Sequence, residues 1–240
     1  DMLDPSLPTF GTEAAATVTV TGDSTYTVAR DDKPDPSTKE VLWRFTAPEP
    51  KGRVADAKTL EGMLQLLGTT QSVTRFVDEN PDAGKLAEYG FAPAPRLKVV
   101  VGLRADGPDK ERVYEFGKDT SDPNLVFARV AGKAAVFTLP RLVLDRFVNP
   151  DLRDRLVFRA VPAAAVNKVE LRGWGDAGFV TELTFEKNKD GAWQATKAPP
   201  GYAVDPAKVN AFLDLLSRER AKGFEKGPVE RKHGFGDPKT

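Results

Sequence analysis

Two stretches of this chain, 149 residues apart, spell the same helix, and any fold must find a place for both. Asp56 falls on Asp205, Met63 on Phe212, and Leu64, Leu66 and Leu67 on Leu213, Leu215 and Leu216. In each stretch an aspartate stands where its carboxylate can accept hydrogen bonds from the free amides of a first helical turn. Pro206 follows Asp205 at the one helical position where a missing N–H costs nothing. Apolar residues then recur at i, i+3, i+4 and i+7: Leu60, Met63, Leu64 and Leu67, then Val209, Phe212, Leu213 and Leu216. That period lays one apolar stripe along a helix and obliges it to cover a core. Gly68 is expected to end the first helix in the left-handed conformation. The flanks repeat as well. Trp43 before Thr46-Ala47-Pro48 matches Trp193 before Thr196-Lys197-Ala198-Pro199, and Phe76 matches Phe224. Tyr89-Gly90-Phe91-Ala92-Pro93 matches His233-Gly234-Phe235-Gly236-Asp237-Pro238.

The rest of the chain reads mostly as strands. Thr17-Val18-Thr19-Val20-Thr21 alternates with period two, Gly22-Asp23-Ser24 supplies a turn, and Tyr26–Ala29 is the hairpin partner. Val41–Phe45 is a further short strand. Leu97–Val101 with Arg112–Phe116, and Leu125–Val130 with Ala134–Leu139, form two more hairpins. Pro140 to Phe158 is expected to be helical, broken at Asn149-Pro150, with Asp151 as a cap; Val169–Arg172 and Phe179–Phe185 return to strands. The fold class expected is α+β: antiparallel hairpins and meander with covering helices. A lead segment (1–16) precedes one complete unit (17–164) and the opening part of a second, duplicated unit (165–240). That second copy stops at Thr240 before its own later hairpins, so the chain is expected to be truncated within it.

Composition removes most chemistries. Lys+Arg and Asp+Glu are 35 each among 240 residues, with no basic excess to suit nucleic acid. There is no cysteine, which excludes disulfides, thiolate metal sites and a thiol nucleophile. One histidine leaves little for zinc hydrolysis or a Ser-His-Asp triad. The longest apolar stretch, around Leu97–Leu103, is interrupted by Lys98 and Gly102, far short of a membrane span. The opening Asp1-Met2-Leu3-Asp4-Pro5 is unlike a signal peptide, which fits a cytoplasmic protein or a chain trimmed of its leader or anchor.

The remaining candidate motifs each have a plainer reading. Gly173-Trp174-Gly175-Asp176-Ala177-Gly178 fits G-x-G-x-x-G, but Phe179–Phe185 after it has a strand pattern, and a dinucleotide site needs a helix there. Asp78–Gly84 echoes a calcium loop, yet its glycine is one position late and Tyr89 stands where the bidentate glutamate belongs. His233 aligns with Tyr89, so its slot accepts a non-titrating aromatic. No serine sits in a nucleophile elbow. Asp31, Asp32 and Asp35, or Asp151 and Asp154, could supply a carboxylate pair only if folding set the right spacing. Arg218, Arg220 and Lys222 read as a solvated basic helix end, with an acidic partner as the alternative. Trp43 and Trp193, in equivalent slots, read as core anchors. Trp174, between glycines in a hairpin loop, is the candidate partner-binding residue; the alternative folds its indole back over its own sheet.

The tryptophan strand, proline-bounded loop, Asp-capped helix and Tyr89-Gly90-Phe91-Ala92-Pro93 corner together resemble the bacterial family known as domain of unknown function 4340. Tyr114-Glu115-Phe116-Gly117, Val126-Phe127-Ala128-Arg129 and Leu152-Arg153-Asp154-Arg155-Leu156 resemble its later segments, so the likeness spans roughly residues 17–240. The resemblance implies an extracytoplasmic domain, often behind a membrane anchor and encoded beside ABC-type export or gliding-motility components. It implies no catalytic residue. The expectation is a non-enzymatic binding or scaffolding module without cofactor or metal, whose partners are membrane transport or motility proteins and not nucleic acid. The alternatives are a soluble polysaccharide- or peptide-binding domain using Trp174, and a carboxylate-based hydrolase.

Overall fold

The computed structural model describes residues 9–36, 39–48, 51–68, 73–104, 110–158, 163–172 and 182–224. The protein is mixed α+β, mostly antiparallel strands in two sheets with a few helices. It divides into two compact units, residues 1–35 with 40–154, and residues 36–39 with 155–240.

The first unit contains β1 (Ala15–Gly22), β2 (Tyr26–Arg30), β3 (Trp43–Ala47), β4 (Val54–Ala55), α1 (Ala57–Gly68), β5 (Arg75–Asp78) and α2 (Ala83–Glu88). There follow β6 (Leu97–Leu103), β7 (Glu111–Asp119), β8 (Leu125–Val130), β9 (Val136–Pro140) and α3 (Arg141–Asp145). Its nine strands form one sheet in the order β4-β3-β2-β1-β6-β7-β8-β9-β5, every neighbouring pair antiparallel. The alternation in β1 dictates its faces: Val18 and Val20 are buried while Thr17, Thr19 and Thr21 point the other way. The apolar stripe of α1 joins a core with Val18, Val20, Val28, Leu97, Val99, Val101, Tyr114 and Phe116. The helix is capped as its sequence requires, with Thr59 donating to the Asp56 carboxylate from both its amide and its hydroxyl.

Two local expectations change, at Gly68 and between Pro140 and Phe158. Gly68 is the last residue of α1 but has no positive φ; its carbonyl accepts from the Phe10 amide at 3.0 Å, and a Cβ there would stand 2.6 Å from the Phe10 oxygen. Close approach, not left-handed backbone, calls for glycine. Between Pro140 and Phe158 only α3 is helical; the chain turns at Asn149, whose φ is 50°, and the Asp151 carboxylate binds the Arg153 guanidinium instead of capping a helix. The acidic stretch 78–84 holds no ion-binding geometry; Asp82 caps α2 through the Lys85 amide at 2.8 Å.

Two tyrosines are buried beneath this sheet. The Tyr114 hydroxyl donates to the Leu67 carbonyl and the Tyr26 hydroxyl to that of Phe147, each at 3.4 Å. Burial pushes the Tyr114 phenol up to about 12 and raises that of Tyr26 as well. Both folded values lie above the unfolded value of about 10, so the stability gained by keeping them neutral is whole below pH 10 and lost as pH climbs through the folded values. Each phenol steepens the loss by about 1.4 kcal/mol per pH unit in that window. Circular dichroism is expected to show unfolding above pH 10, and Tyr114→Phe to move that transition to higher pH.

The second unit holds β10 (Lys168–Arg172), β11 (Glu182–Lys187), β12 (Trp193–Lys197) and α4 (Pro206–Arg218). Its sheet runs β10-β11-β12, antiparallel throughout. Phe185, Trp193, Val209 and Leu213 are its buried apolar residues, and the Trp193 indole donates to the Asn210 side chain at 3.0 Å. Asp205 caps α4 through the amides of Ala207 and Lys208.

The ladders β2–β3 and β11–β12 each contain one register shift. Thr27 faces Ala47 and Val28 faces Phe45, a register shift that leaves Thr46 unpaired. Likewise Thr184 faces Lys197 and Phe185 faces Ala195, leaving Thr196 unpaired. In the first set Arg30 pairs with Trp43 and its guanidinium lies 6.0 Å from the ring centre; in the second Lys187 pairs with Trp193 and its ammonium lies 5.0 Å away.

Candidate functional site

The sequence Lys-Val-Glu-Leu-Arg of β10 sends Val169 and Leu171 to one face and three charged residues to the other, as period-two geometry demands. On β11, Leu183 and Phe185 join the apolar face. Above them the stripe of α4 begins, but the cover is incomplete. Val209 and Leu213 are buried, whereas Phe212 and Leu216 are only half-buried and Leu215 is 57% exposed. In the first unit the residues at the same offsets, Met63 and Leu67, are 3% and 0% exposed.

The space left over is an open groove of about 370 Å³ inside the second unit. Val169, Leu171, Leu183 and Phe185 of the sheet, the segment Tyr202–Asp205, and Lys208, Val209 and Phe212 of α4 line it. Tyr202 stacks on Phe185 with ring centres 6.2 Å apart. The Asp205 carboxylate is committed to the helix cap. The groove is apolar, with the exposed Tyr202 ring and the Asp205 and Lys208 side chains among its lining residues.

One edge of the groove is strand β10, which has a single neighbour, β11, among the described residues. Its charged face carries an exposed ion-pair row. Lys168 contacts Glu170 at 2.8 Å and Glu186 at 3.2 Å, Arg172 contacts Glu170 at 2.9 Å, and Lys197 pairs with Glu182. The hydrogen-bonded Lys168 ammonium holds the Glu170 carboxyl below its ordinary value, with Arg172 adding to the effect.

The sequence-level candidates fall as follows. Trp174, the whole Gly173–Gly178 motif and His233 lie outside the described residues. Asp31 and Asp35 are both held by Arg44, at 2.9 and 3.8 Å, which makes them partners of a cation instead of a free acid–base pair. Asp151 is engaged by Arg153. The stretch after α4 is tied down: Ala221 donates to the Arg155 carbonyl, and the Arg155 guanidinium to that of Lys222. Among the described residues no three acidic or histidine side chains gather as metal ligands, and no helix is long and apolar enough to cross a membrane. The groove itself was not read from the sequence. Its only signal there is the alternation in β10, which any half-covered strand shares.

Some of the residues that carried the family likeness, Tyr89-Gly90-Phe91, Glu115, Gly117 and Arg129, meet at one corner of the first unit. Gly90 has φ 85°, and a Cβ on it would meet the Lys118 amide at 2.7 Å. A Cβ on Gly117 would collide with the Tyr89 carbonyl oxygen, which accepts from Lys118 at 3.0 Å. Beside this contact Arg129 pairs with Glu115 at 2.6 Å and lies 4.9 Å over the Phe91 ring. Glu115 is 9% exposed, so the pair works as a structural clasp. Arg129→Ala strands that carboxylate and is expected to cost about 2–4 kcal/mol, more than Glu115→Gln, in paired chemical denaturation curves.

No curated protein and no solved structure matches the chain. The family described as a domain of unknown function (DUF4340) matches over residues 43–238, which takes in most of both units. This protein belongs to the DUF4340 family.

Proposed function

We propose that this chain is a non-enzymatic binding module that serves a membrane transport or motility assembly from the extracytoplasmic side. We propose further that its second unit repeats the opening β-β-β-α portion of the first. The observation that carries the binding reading is the contrast between the two helices. The stripe of α1 is sealed, while that of α4 leaves Phe212 and Leu216 half-buried and an apolar groove beneath; Leu215, off the stripe, is exposed. Exposed apolar surface rimmed by charge is characteristic of interaction sites. The repeat reading is supported by the shared register shift at Thr27 and Thr184 and by the matching cation–tryptophan pairs. The assembly reading draws on the family resemblance.

The test is affinity capture of the tagged protein from detergent-solubilised native membranes, with mass spectrometry of what co-purifies. Recovery of permease or ATPase subunits supports the proposal, and their loss in a Leu215→Glu variant ties it to the α4 face. Recovery of no membrane component, under conditions where a known complex survives, contradicts it.

A further inference from the structure

Helices α1 and α4 differ at one offset that bears on the groove. In α1 the residue three past the capping aspartate is Thr59, whose hydroxyl donates to the Asp56 carboxylate at 2.7 Å. The same offset in α4 holds Lys208, whose amide donates to Asp205 at 3.4 Å while the residue lines the groove. The Lys208 ammonium makes no ion pair among the described residues. Tyr202, which is 46% exposed and also lines the groove, likewise has a hydroxyl with no hydrogen bond among the described residues. The carboxylate of the lining, Asp205, already accepts from the Ala207 and Lys208 amides. The unspent polar side-chain groups of the groove are therefore two donors, one of them cationic, beside the apolar surface of Val169, Leu171, Leu183 and Phe185.

We propose that this groove binds a small amphipathic carboxylate, a single hydrocarbon chain ended by an anionic head, with the chain against the sheet residues and the head at Lys208. The head follows from charge complementarity: a carboxylate brings one negative charge and two acceptor oxygens, which match one ammonium and one hydroxyl. The body follows from the lining, whose branched aliphatic side chains and rings gain by taking a hydrocarbon out of water. The size follows from the volume. At about 370 Å³ the groove stands at the lower end of the range for small-molecule sites, about 300–1,000 Å³, which suits one chain and not the two of a bilayer lipid. The inference rests on the binding reading of the groove and adds a ligand class to it, without calling on any protein partner.

The probe is decanoate, titrated into the full-length chain and followed by the methyl resonances of Val169, Leu171, Leu183 and Val209. Decanamide, of the same length but uncharged, and the shorter octanoate are the comparisons. Saturable shifts are expected at those methyls. Decanoate is expected to bind about two- to fivefold more tightly than decanamide, the worth of an ion pair at a solvated rim. Against octanoate, which buries two fewer methylenes, the gain is expected to reach about tenfold. Lys208→Gln should lower the decanoate affinity to that of decanamide, and Lys208→Arg should keep the two apart. Lys208 is exposed, so neither variant threatens the fold. Equal affinity for decanoate and decanamide overturns the inference, as does a preference for decanoate that survives Lys208→Gln. Methyls that do not shift overturn it too, and so does sedimentation with phosphatidylglycerol vesicles in place of decanoate binding. Membrane capture is independent of the acid. A chain that captures its assembly through the α4 face yet ignores decanoate loses the ligand inference and keeps the binding reading.

Discussion

Trp43→Ala is expected to cost about 3–5 kcal/mol, the range for truncating a large buried aromatic. Trp43 is 2% exposed at the start of β3, its ring packed into the core under α1 and flanked by the Arg30 guanidinium at 6.0 Å. Surrounding strands are fixed on both sides, β2 by its ladder and β4 by another, so the cavity has little freedom to collapse. A loss of that size approaches the whole stability of a typical domain. The matching change, Trp193→Ala, removes the same side chain from a cluster of four buried apolar residues and also deprives Asn210 of its donor. Because the two tryptophans belong to different compact units, differential scanning calorimetry is expected to show two different results. Trp43→Ala lowers the transition of the nine-stranded unit, and Trp193→Ala lowers that of the three-stranded unit while the larger one stays put. A single transition lowered equally by both would contradict the division into two units.

Gly22→Ala is expected to destabilise by about 3 kcal/mol or more, against about 1–2 kcal/mol for Gly132→Ala. Both glycines have left-handed backbone, with φ 119° and 81°. They differ in surroundings. A Cβ on Gly132 meets nothing within 4 Å, so only the conformational preference is lost. A Cβ on Gly22 would be driven into the Arg96 carbonyl oxygen, which accepts from the Asp23 amide at 2.9 Å. Gly22 also faces Leu97 across the β1–β6 ladder, so relieving the collision means separating the two central strands of the sheet. Urea denaturation of both variants beside the parent chain gives the comparison. Equal losses would show that backbone conformation, and not the close approach to Arg96, sets the requirement.

Much of this fold was legible because its elements are written in local periodicity. The Thr-Val alternation of β1, the capped stripes of α1 and α4 and the four strands from Leu97 to Pro140 all stand where their patterns put them. Strand β5 and helix α2 escaped notice. Arg75–Asp78 is four residues with no alternation, held by pairing with distant β9, and α2 is six residues secured mainly by the Asp82 cap. Gly68 was assigned the wrong role because its constraint comes from Phe10, 58 positions earlier in the chain. The groove was invisible for a related reason. The pattern of β10 tells which face is apolar but not whether a further strand lies alongside it. Trp174, the residue singled out for partner binding, lies outside the described residues.

The central claim is that β10, which the proposed repeat sets in the place of β1, is an edge among the described residues where β1 is interior. Amide hydrogen exchange resolved by residue in the free, full-length protein measures this without any ligand. Interior strands donate every amide to a neighbour, while an edge strand leaves alternate amides to water. Slow exchange is expected at consecutive amides from Val18 to Val20, and alternating slow and fast exchange from Lys168 to Arg172. Uniform protection along β10, equal to that of β1, would mean the edge is already covered and would contradict the account.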